Sequence, residues 1–537
     1  MIKNFITIAW RKIKSQRFYA VTNIMGLAIG IACCLLITLL VLDEVSYDNY
    51  HERSEDIYRI TGEYNFNGQY NKVAVATSLM AEVVKSEVPE IEQTARMRAY
   101  GSWLVRKEGS IENIREYSVI YADASIFDIF NFPLISGDKA TILNQPNTMV
   151  ISQSAARRYF GEADPIGETL VLDNDENFVI VGVCEDVPFN THFQYEFFLS
   201  MVELDEMVND IWLNNNFHTY IRLRPGSDVD EVYTKVNETF KKYAAPQIQQ
   251  FIGASFDELE ASGNYFRYNL QPVRSIHLNS NMTAEHQPNG EKAYVWIFSA
   301  IALFVLLIAC INFMNLATAR SANRAKEVGM RKVLGSSKKT LIVQFLMESV
   351  LMSGIAFLLG LSIARIAMPA FNALTGKSLA IPFFNPAFIG VSIFAVLLIG
   401  ALAGSYPAFF LSAFDPLKVL KGNLKHGAKS GLLRQFLVTS QFTLSIVMMI
   451  GTGVIYKQLS YIQNKRLGFE KDQVLTLSAS NYPGSFDALI DQIDNFPEVK
   501  SSTVTCYLPI SNSCRSNNAH WLEGEDMLNE TKSIQQW

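Results

Sequence analysis

Seven histidines, six cysteines and 52 acidic residues are the groups in this 537-residue chain with the chemistry to bind a metal or move a proton. Their spacing argues against both. His51, His192, His218, His277, His286, His426 and His520 show neither HxxxH nor HExxH spacing, the patterns that set two imidazoles on one helix face for zinc. A lone histidine in strand-rich sequence is usually structural. No G-x-S-x-G turn offers an activated serine. No G-x-x-x-x-G-K-[ST] loop cradles a nucleotide phosphate; Gly335-Ser336-Ser337-Lys338 comes nearest and lacks the second glycine. The carboxylates are scattered, as on a solvated surface. Cys33, Cys34 and Cys310 lie in apolar runs, where they act as small apolar residues. Cys184, Cys506 and Cys514 lie outside them, and a Cys506–Cys514 disulfide stays open. The expectation is a chain without catalytic residues, metal or cofactor, and not an enzyme.

The remaining chemistry is cationic, and apolar runs decide where it sits. Hydrophobic residues make up 49% and charged residues 18%, which excludes a disordered chain. Six cysteines exclude a disulfide scaffold, and a pI near 5.8 disfavours nucleic acid as a partner. Five runs are long enough to cross a bilayer: 21–42, 294–316, 344–368, 386–411 and 436–456. The first is too long for a signal peptide, and Asp43-Glu44 stands where a cleavage site would be. Residues 1–20 carry Lys3, Arg11, Lys12, Lys14 and Arg17 and no acid. Residues 317–343 carry seven basic residues against Glu327, and residues 412–435 carry Lys418, Lys421, Lys425, Lys429 and Arg434 against Asp415. These three segments fall on one side of the membrane if all five runs span, and the positive-inside rule makes that side the cytoplasm, with the N-terminus inside. Their net charges are +5, +6 and +4 in a chain of −6, so the rest, at −21, is acidic.

That leaves residues 43–293 outside, as a core domain of mixed structure. Strand signals cover Asn177–Val187 and Thr219–Leu223, the latter stopped by Arg224-Pro225-Gly226. Ser227-Asp228 is placed to cap a helix from Val229 to about Tyr243, and further helix signals cover Ser78–Val88 and Ser152–Phe160. The mixture predicts an α+β domain. A short outer loop, 369–385, separates the third and fourth runs, and residues 457–537 follow the fifth.

The most informative stretch is the basic segment 317–343 and its continuation to Ser353. Ala325, Val328, Met330, Val333 and Leu334 can line one side of a short helix, while Arg324, Lys326, Glu327, Arg331 and Lys332 are charged. Gly335 should end that helix, and Ser336 or Ser337 should cap the next. The expected element is amphipathic, lies along the inner membrane surface and can pass force from a cytoplasmic partner to the spans. On charge alone, a basic loop that fixes topology and meets anionic lipid explains it equally well. Gly26-x-x-x-Gly30 and Gly400-x-x-x-Gly404 suit close helix packing, and Glu348 suits a hydrogen bond across helices.

The order of residues adds a resemblance. Glu327-Val328-Gly329-Met330-Arg331-Lys332-Val333-Leu334-Gly335 followed by Gln344-Phe345-Leu346-Met347-Glu348-Ser349 resembles the coupling segment of FtsX-like permeases of ABC transporters. Asn23, Gly26 to Gly30 and Glu44-Val45-Ser46-Tyr47-Asp48 resemble the first span of MacB-type permeases. Phe160-Gly161 with Asp164-Pro165-Ile166-Gly167, and Asp186 to His192, resemble their periplasmic core domain. Ser405-Tyr406-Pro407-Ala408 and Pro416 to Gly422 resemble the end of their fourth span. The resemblance implies a multi-pass α-helical protein of the bacterial inner membrane with a large α+β extracytoplasmic domain of the MacB-type periplasmic core. It implies an ABC-type ATP-binding subunit as partner, docked on Glu327, Gly329, Arg331, Lys332 and Gly335, with membrane lipid around the spans. It leaves room for a second permease copy and an envelope adaptor. The work implied is mechanotransmission: ATP hydrolysis by the partner moves the outer domain to export or extract a hydrophobic compound, peptide or lipoprotein. An FtsX-like scaffold that regulates an envelope partner without transport is the alternative.

The segment after the fifth run echoes the segment after the first. Ile57–Tyr64, Leu79–Val88 and Pro89-Glu90-Ile91 find counterparts in Val474–Leu477, Phe486–Phe496 and Pro497-Glu498-Val499. Only 40 residues follow Pro497. On the resemblance, the expectation is a double-unit permease cut off inside an incomplete second extracytoplasmic domain, 457–537.

Overall fold

Apolar side chains point outward in one part of the chain and inward in the other, and the backbone follows that difference. The computed structural model describes residues 7, 11, 15, 17–66, 68–202, 204–208, 211–319, 321–412, 428–465, 473–477, 484–505, 516–520 and 532–536. Its contacts divide the chain into two units, 1–45 with 291–470 and 46–290 with 471–537. The Cys506–Cys514 question, Pro416 to Gly422 and most of the basic segment 412–435 lie outside the described residues.

In the first unit, five helices are long and apolar enough to cross a membrane: Arg17–Val45, Lys292–Ala319, Lys338–Thr375, Pro386–Ser412 and Gln435–Asn464. The first packs on the second and third, the third on the fourth, and the fifth touches the second. Lipid offers no hydrophobic drive between helices, so close backbone approach and polar pairs must hold them. A Cβ on Gly30 would stand 2.6 Å from Ala309 Cβ, and one on Gly26 would stand 3.2 Å from Asn312 Nδ2, so the first span lies tightly on the second. A Cβ on Gly400 would meet Val350 Cα at 2.7 Å, and one on Gly404 would meet Ser349 Oγ at 2.5 Å, which brings the fourth span onto the third. Asn315 Nδ2 donates to Gln441 Oε1 at 3.0 Å, joining second to fifth. The third helix continues through Pro369 to Gly376, whose φ of +67° ends it. Lys377 then pairs with Asp43 at 3.0 Å and Glu44 at 2.7 Å, at the end of the first helix.

The second unit is built on a mixed sheet that takes in fourteen of the described strands. Asn215–Leu223 pairs antiparallel with Ile57–Phe66 on one side and Ile91–Arg98 on the other. Ile57–Phe66 pairs in turn with Tyr265–Pro272. Two pairings are parallel: Phe197–Ser200 with Val119–Ala122, and Glu176–Cys184 with Thr148–Ser152. Helices Met80–Glu87 and Val229–Ile252 cover part of the sheet through Met80, Val84, Val232, Val236, Phe240 and Ile248. The domain is α+β.

Local signals and tertiary context disagree at several ends. The strand expected over Asn177–Val187 stops at Cys184, because the Asp186 carboxylate instead accepts from Ser154 N at 2.8 Å and Ser154 Oγ at 2.6 Å, in the first turn of helix Gln153–Phe160. Asp228 caps its helix as expected, accepting from Asp230 N at 3.0 Å. That helix runs past Tyr243 and through Pro246 to Gly253, since Ala244 and Ile248 continue its buried face. Val474–Leu477 forms no strand, while Phe486–Asp494 is a helix. Ile57–Phe66, its counterpart, is held between two neighbouring strands; 474–477 has none among the described residues and lies exposed.

Candidate functional site

The basic segment between the second and third spans folds as a helix, Ser321–Val333. Its two sides differ. Val328 is buried against Leu341 and Phe345 of the third span and Ala408 and Leu411 of the fourth. Gly329 is buried beside it. Arg331, one turn on from Glu327, pairs with that carboxylate at 2.8 Å and donates from Nη1 to Gln344 Oε1 at 2.8 Å. The inward side is therefore pinned to the third span by one apolar contact and one charge-assisted hydrogen bond.

The opposite side carries Met330, Val333 and Leu334, exposed by 59%, 65% and 83%. This corrects the single apolar side expected from the sequence: Val328 faces the core, while Met330, Val333 and Leu334 face away from it, and the Ala325 side chain lies outside what the structure describes. The stripe is split because residues 328 and 331 lie on the same face, three apart, while 330, 333 and 334 share another.

The helix ends at Gly335, whose φ is +94°. Gly335 N donates to Lys332 O and Ser336 N to Arg331 O, each at 3.0 Å, the paired bonds of a Schellman turn. Ser337, rather than Ser336, caps the third span by accepting from Thr340 N at 3.3 Å. Only three residues, Leu334, Gly335 and Ser336, thus separate one helix from the cap of the next, and all three are held by backbone bonds. The joint has little freedom to bend.

Glu348 is buried among Tyr19, Phe313, Phe345, Ser349, Met352 and Pro407, around a small cavity one turn beyond Gln344. It faces the helix bundle and not the exposed side of Ser321–Val333. Gly360, which the sequence reading passed over, is as tightly placed as the paired glycines, since a Cβ there would stand 2.8 Å from Ala28 O. Ala356 and Ala364 stand four residues to either side of it and are buried, a small-xxx-small pattern by which it could have been found.

In the outer unit, two stretches singled out in the sequence, ending at Asp48 and His192, meet. Asp48 N donates to Asn190 O at 2.9 Å, Asn190 Nδ2 to Ser46 Oγ at 3.1 Å, and the Asp48 carboxylate pairs with His192 Nδ1 at 2.9 Å.

Comparison with known proteins agrees with this layout. The MacB-like periplasmic core domain family matches residues 20–239, and the FtsX-like permease C-terminal family matches residues 299–416. This chain is an FtsX-like, MacB-type permease. The macrolide export ATP-binding/permease protein MacB of Bdellovibrio bacteriovorus is 26% identical over 52% of this permease and 39% of that protein. The ABC transporter permease YvrN of Bacillus subtilis is 24% identical over 78% of this permease and 98% of that protein. The pyoverdine export ATP-binding/permease protein PvdT of Pseudomonas putida is 22% identical over 77% and 58%. The permease therefore spans about two fifths to three fifths of these two export proteins, and nearly all of YvrN. It is a multi-pass membrane protein.

Proposed function

We propose that this permease is the membrane subunit of a mechanotransmission-type ABC transporter, driven by a separate ATP-binding subunit that docks on helix Ser321–Val333. One observation carries the reading: that helix is fixed to the third span by Val328 and Arg331, is joined to it through a short Schellman turn, and holds Met330, Val333 and Leu334 outward. An exposed apolar ridge on a rigid lever suits a partner protein, because a push on it moves the third span directly. Docking then centres on the ridge, with Lys332 at its edge. Arg331, Glu327 and Gly329 act from the inner side by holding the lever, and Gly335 sets its angle.

The charge bias of the flanking segments favours a cytoplasmic lever and an N-terminus inside, with residues 46–290 outside. There the domain would handle a hydrophobic compound, peptide or lipoprotein. The two export relatives carry different cargoes by name, a macrolide and pyoverdine, so the cargo of this permease is left at that class. Hydrolysis is placed on the ATP-binding subunit, as the docking reading requires.

Pull-down from native membranes in mild detergent tests the docking role, with ATPase activity and the identity of the retained subunit as readouts. Val333→Asp and Leu334→Asp place charge on the ridge without removing a buried contact. Wild type is expected to retain an ATP-binding subunit, and each variant to lose most of it while remaining folded. Retention by both variants sinks the ridge as docking surface.

A further inference from the structure

The chain 46–290 leaves the first span at Ser46 and returns to the second at Gly290. Both of these ends contribute to one polar knot inside the outer unit. Asp48 comes from the incoming segment; Glu285 and His286 come from the outgoing one. Between them stand His192, from the loop after strand Glu176–Cys184, and Tyr220, from the central strand Asn215–Leu223. Asp48, His192 and Tyr220 are buried, and His286 is partly buried.

The hydrogen bonds run in one direction. A carboxylate only accepts, so His192 Nδ1–H donates to Asp48 Oδ1 at 2.9 Å. His192 Nε2 is then the acceptor, and the Tyr220 hydroxyl donates to it at 2.7 Å. The Tyr220 oxygen accepts in turn from His286 Nε2–H at 3.1 Å, which leaves His286 Nδ1 to accept from the Tyr195 hydroxyl at 2.9 Å. A single tautomer of each ring satisfies all four bonds.

Two further ties flank this chain. The buried Arg59 guanidinium, on strand Ile57–Phe66, holds both Glu285 oxygens, at 2.6 and 2.9 Å. Thr191 is bonded on both sides, its Oγ1 to the Tyr50 hydroxyl at 2.7 Å and its carbonyl to Gln287 Nε2 at 2.8 Å. Incoming and outgoing segments are thus fastened to the same loop and the same strand. Apolar contact is non-directional and tolerates sliding. A directional chain of buried hydrogen bonds has one register, and breaking any link strands a buried partner.

We propose that Asp48, His192, Tyr220 and His286 form a latch that makes the segments leading to the first and second spans move as one body with the central strand. They are positioning residues. The inference rests on the reading that ATP-driven motion reaches the outer unit through those spans, and it supplies the reason two helices deliver a single displacement.

Hydrogen exchange read by mass spectrometry tests it, on the full chain in lipid nanodiscs with its co-purified ATP-binding subunit. Asp48→Ala is expected to speed exchange about tenfold in 46–51 and also in 283–290, the scale of losing one buried hydrogen bond. Asp48→Asn keeps an oxygen to accept from His192 and should restore most of the protection in both segments. Where Asp48→Ala unfolds the domain, Tyr220→Phe keeps the ring and removes only the shared hydroxyl; it should loosen both segments together while 91–98 stays protected. Acceleration confined to 46–51 in Asp48→Ala, or no change at either segment in Tyr220→Phe, overturns the latch. Added ATP separates the two readings. A wild type with paired protection that ignores ATP removes the transport reading and leaves the latch standing. A Tyr220→Phe chain that answers ATP in both segments as wild type does removes the latch alone.

Discussion

The outer unit and the membrane unit solve the same packing problem with opposite means. In the outer unit, water drives apolar side chains inward, and the positions that need a unique partner use charge: Arg59 with Glu285, Arg96 with Asp123 at 2.9 Å, Asp48 with His192. In the membrane unit, apolar faces already sit in a solvent like themselves. Helix pairing there depends on where backbones can touch, at Gly30, Gly360, Gly400 and Gly404. Sensitivity to a lost charge should therefore mark one unit, and sensitivity to an added methyl the other.

The sharpest break of that contrast is Arg59→Met. It keeps the volume and leaves Glu285 partly buried without its cation, which should cost the outer unit about 3–5 kcal/mol. Urea unfolding followed by exchange in 215–223 measures it; a cost near that of a surface substitution would show that the pair carries no weight. Next is Gly404→Leu, whose Cβ would overlap Ser349, with an expected loss of about 1–3 kcal/mol or more from overpacking. Gly453→Leu, where nothing lies within 4 Å, should leave the thermal midpoint in detergent unchanged. Equal effects from both would remove the distinction between tight and open glycines.

Mild acid should act first on the outer unit. His218 and His286 stack with ring centroids 3.5 Å apart, and both are held well below the ordinary imidazole value of 6.5. Desolvation is the main cause, with Arg59 next for His218 and the neighbouring His218 next for His286. His192 lies near both rings, Arg98 acts on His218, and the Tyr195 and Tyr220 hydroxyls bond His286. The unfolded chain takes up protons near pH 6.5 that the folded domain refuses. Stability is therefore full above that pH and falls below it, by at most about 1.4 kcal/mol per pH unit for each proton. Asp48 adds a second loss at lower pH. Burial alone would raise its carboxyl, but the attraction and hydrogen bond of His192, with His51 3.7 Å away, hold it at about 2, so its contribution disappears as pH falls from 3.8 toward that value. Urea midpoints at pH 7.5 and 5 should separate in wild type and converge in His218→Gln/His286→Gln; parallel curves would exclude the stacked pair as the source.

The smallest effect belongs to the joint. Ser337→Ala removes the cap of the third span and should cost about 1 kcal/mol, seen as faster exchange over 338–341 with the outer unit untouched. A change that also reached the outer unit would mean that the two units do not respond independently.

Much of this was legible in the residue order, and the limits were physical. Ser321–Val333, its end at Gly335 and a serine cap beyond it are written within one short stretch, because helix start and stop signals act over one turn. The split of its apolar stripe was not legible, because only Leu341, Phe345, Ala408 and Leu411 decide which side is in. The histidines read as scattered, structural residues. Four of them, His51, His192, His218 and His286, gather around Asp48 and Tyr220, and His277 stacks on Tyr47 at 3.4 Å. Asp48 and His192 are 144 residues apart, and no periodicity connects them.

By itself, the sequence determined five apolar runs, the charge bias around them, an α+β outer domain, and a short helix ended at Gly335. These follow from composition and from signals within a few residues. Only the tertiary structure decided which glycines touch a neighbouring helix, which face of the short helix is left open, and that the two ends of the outer unit are fastened to one strand. Those outcomes depend on which distant side chains arrive at the same place, and that is set by packing the whole sheet and bundle at once.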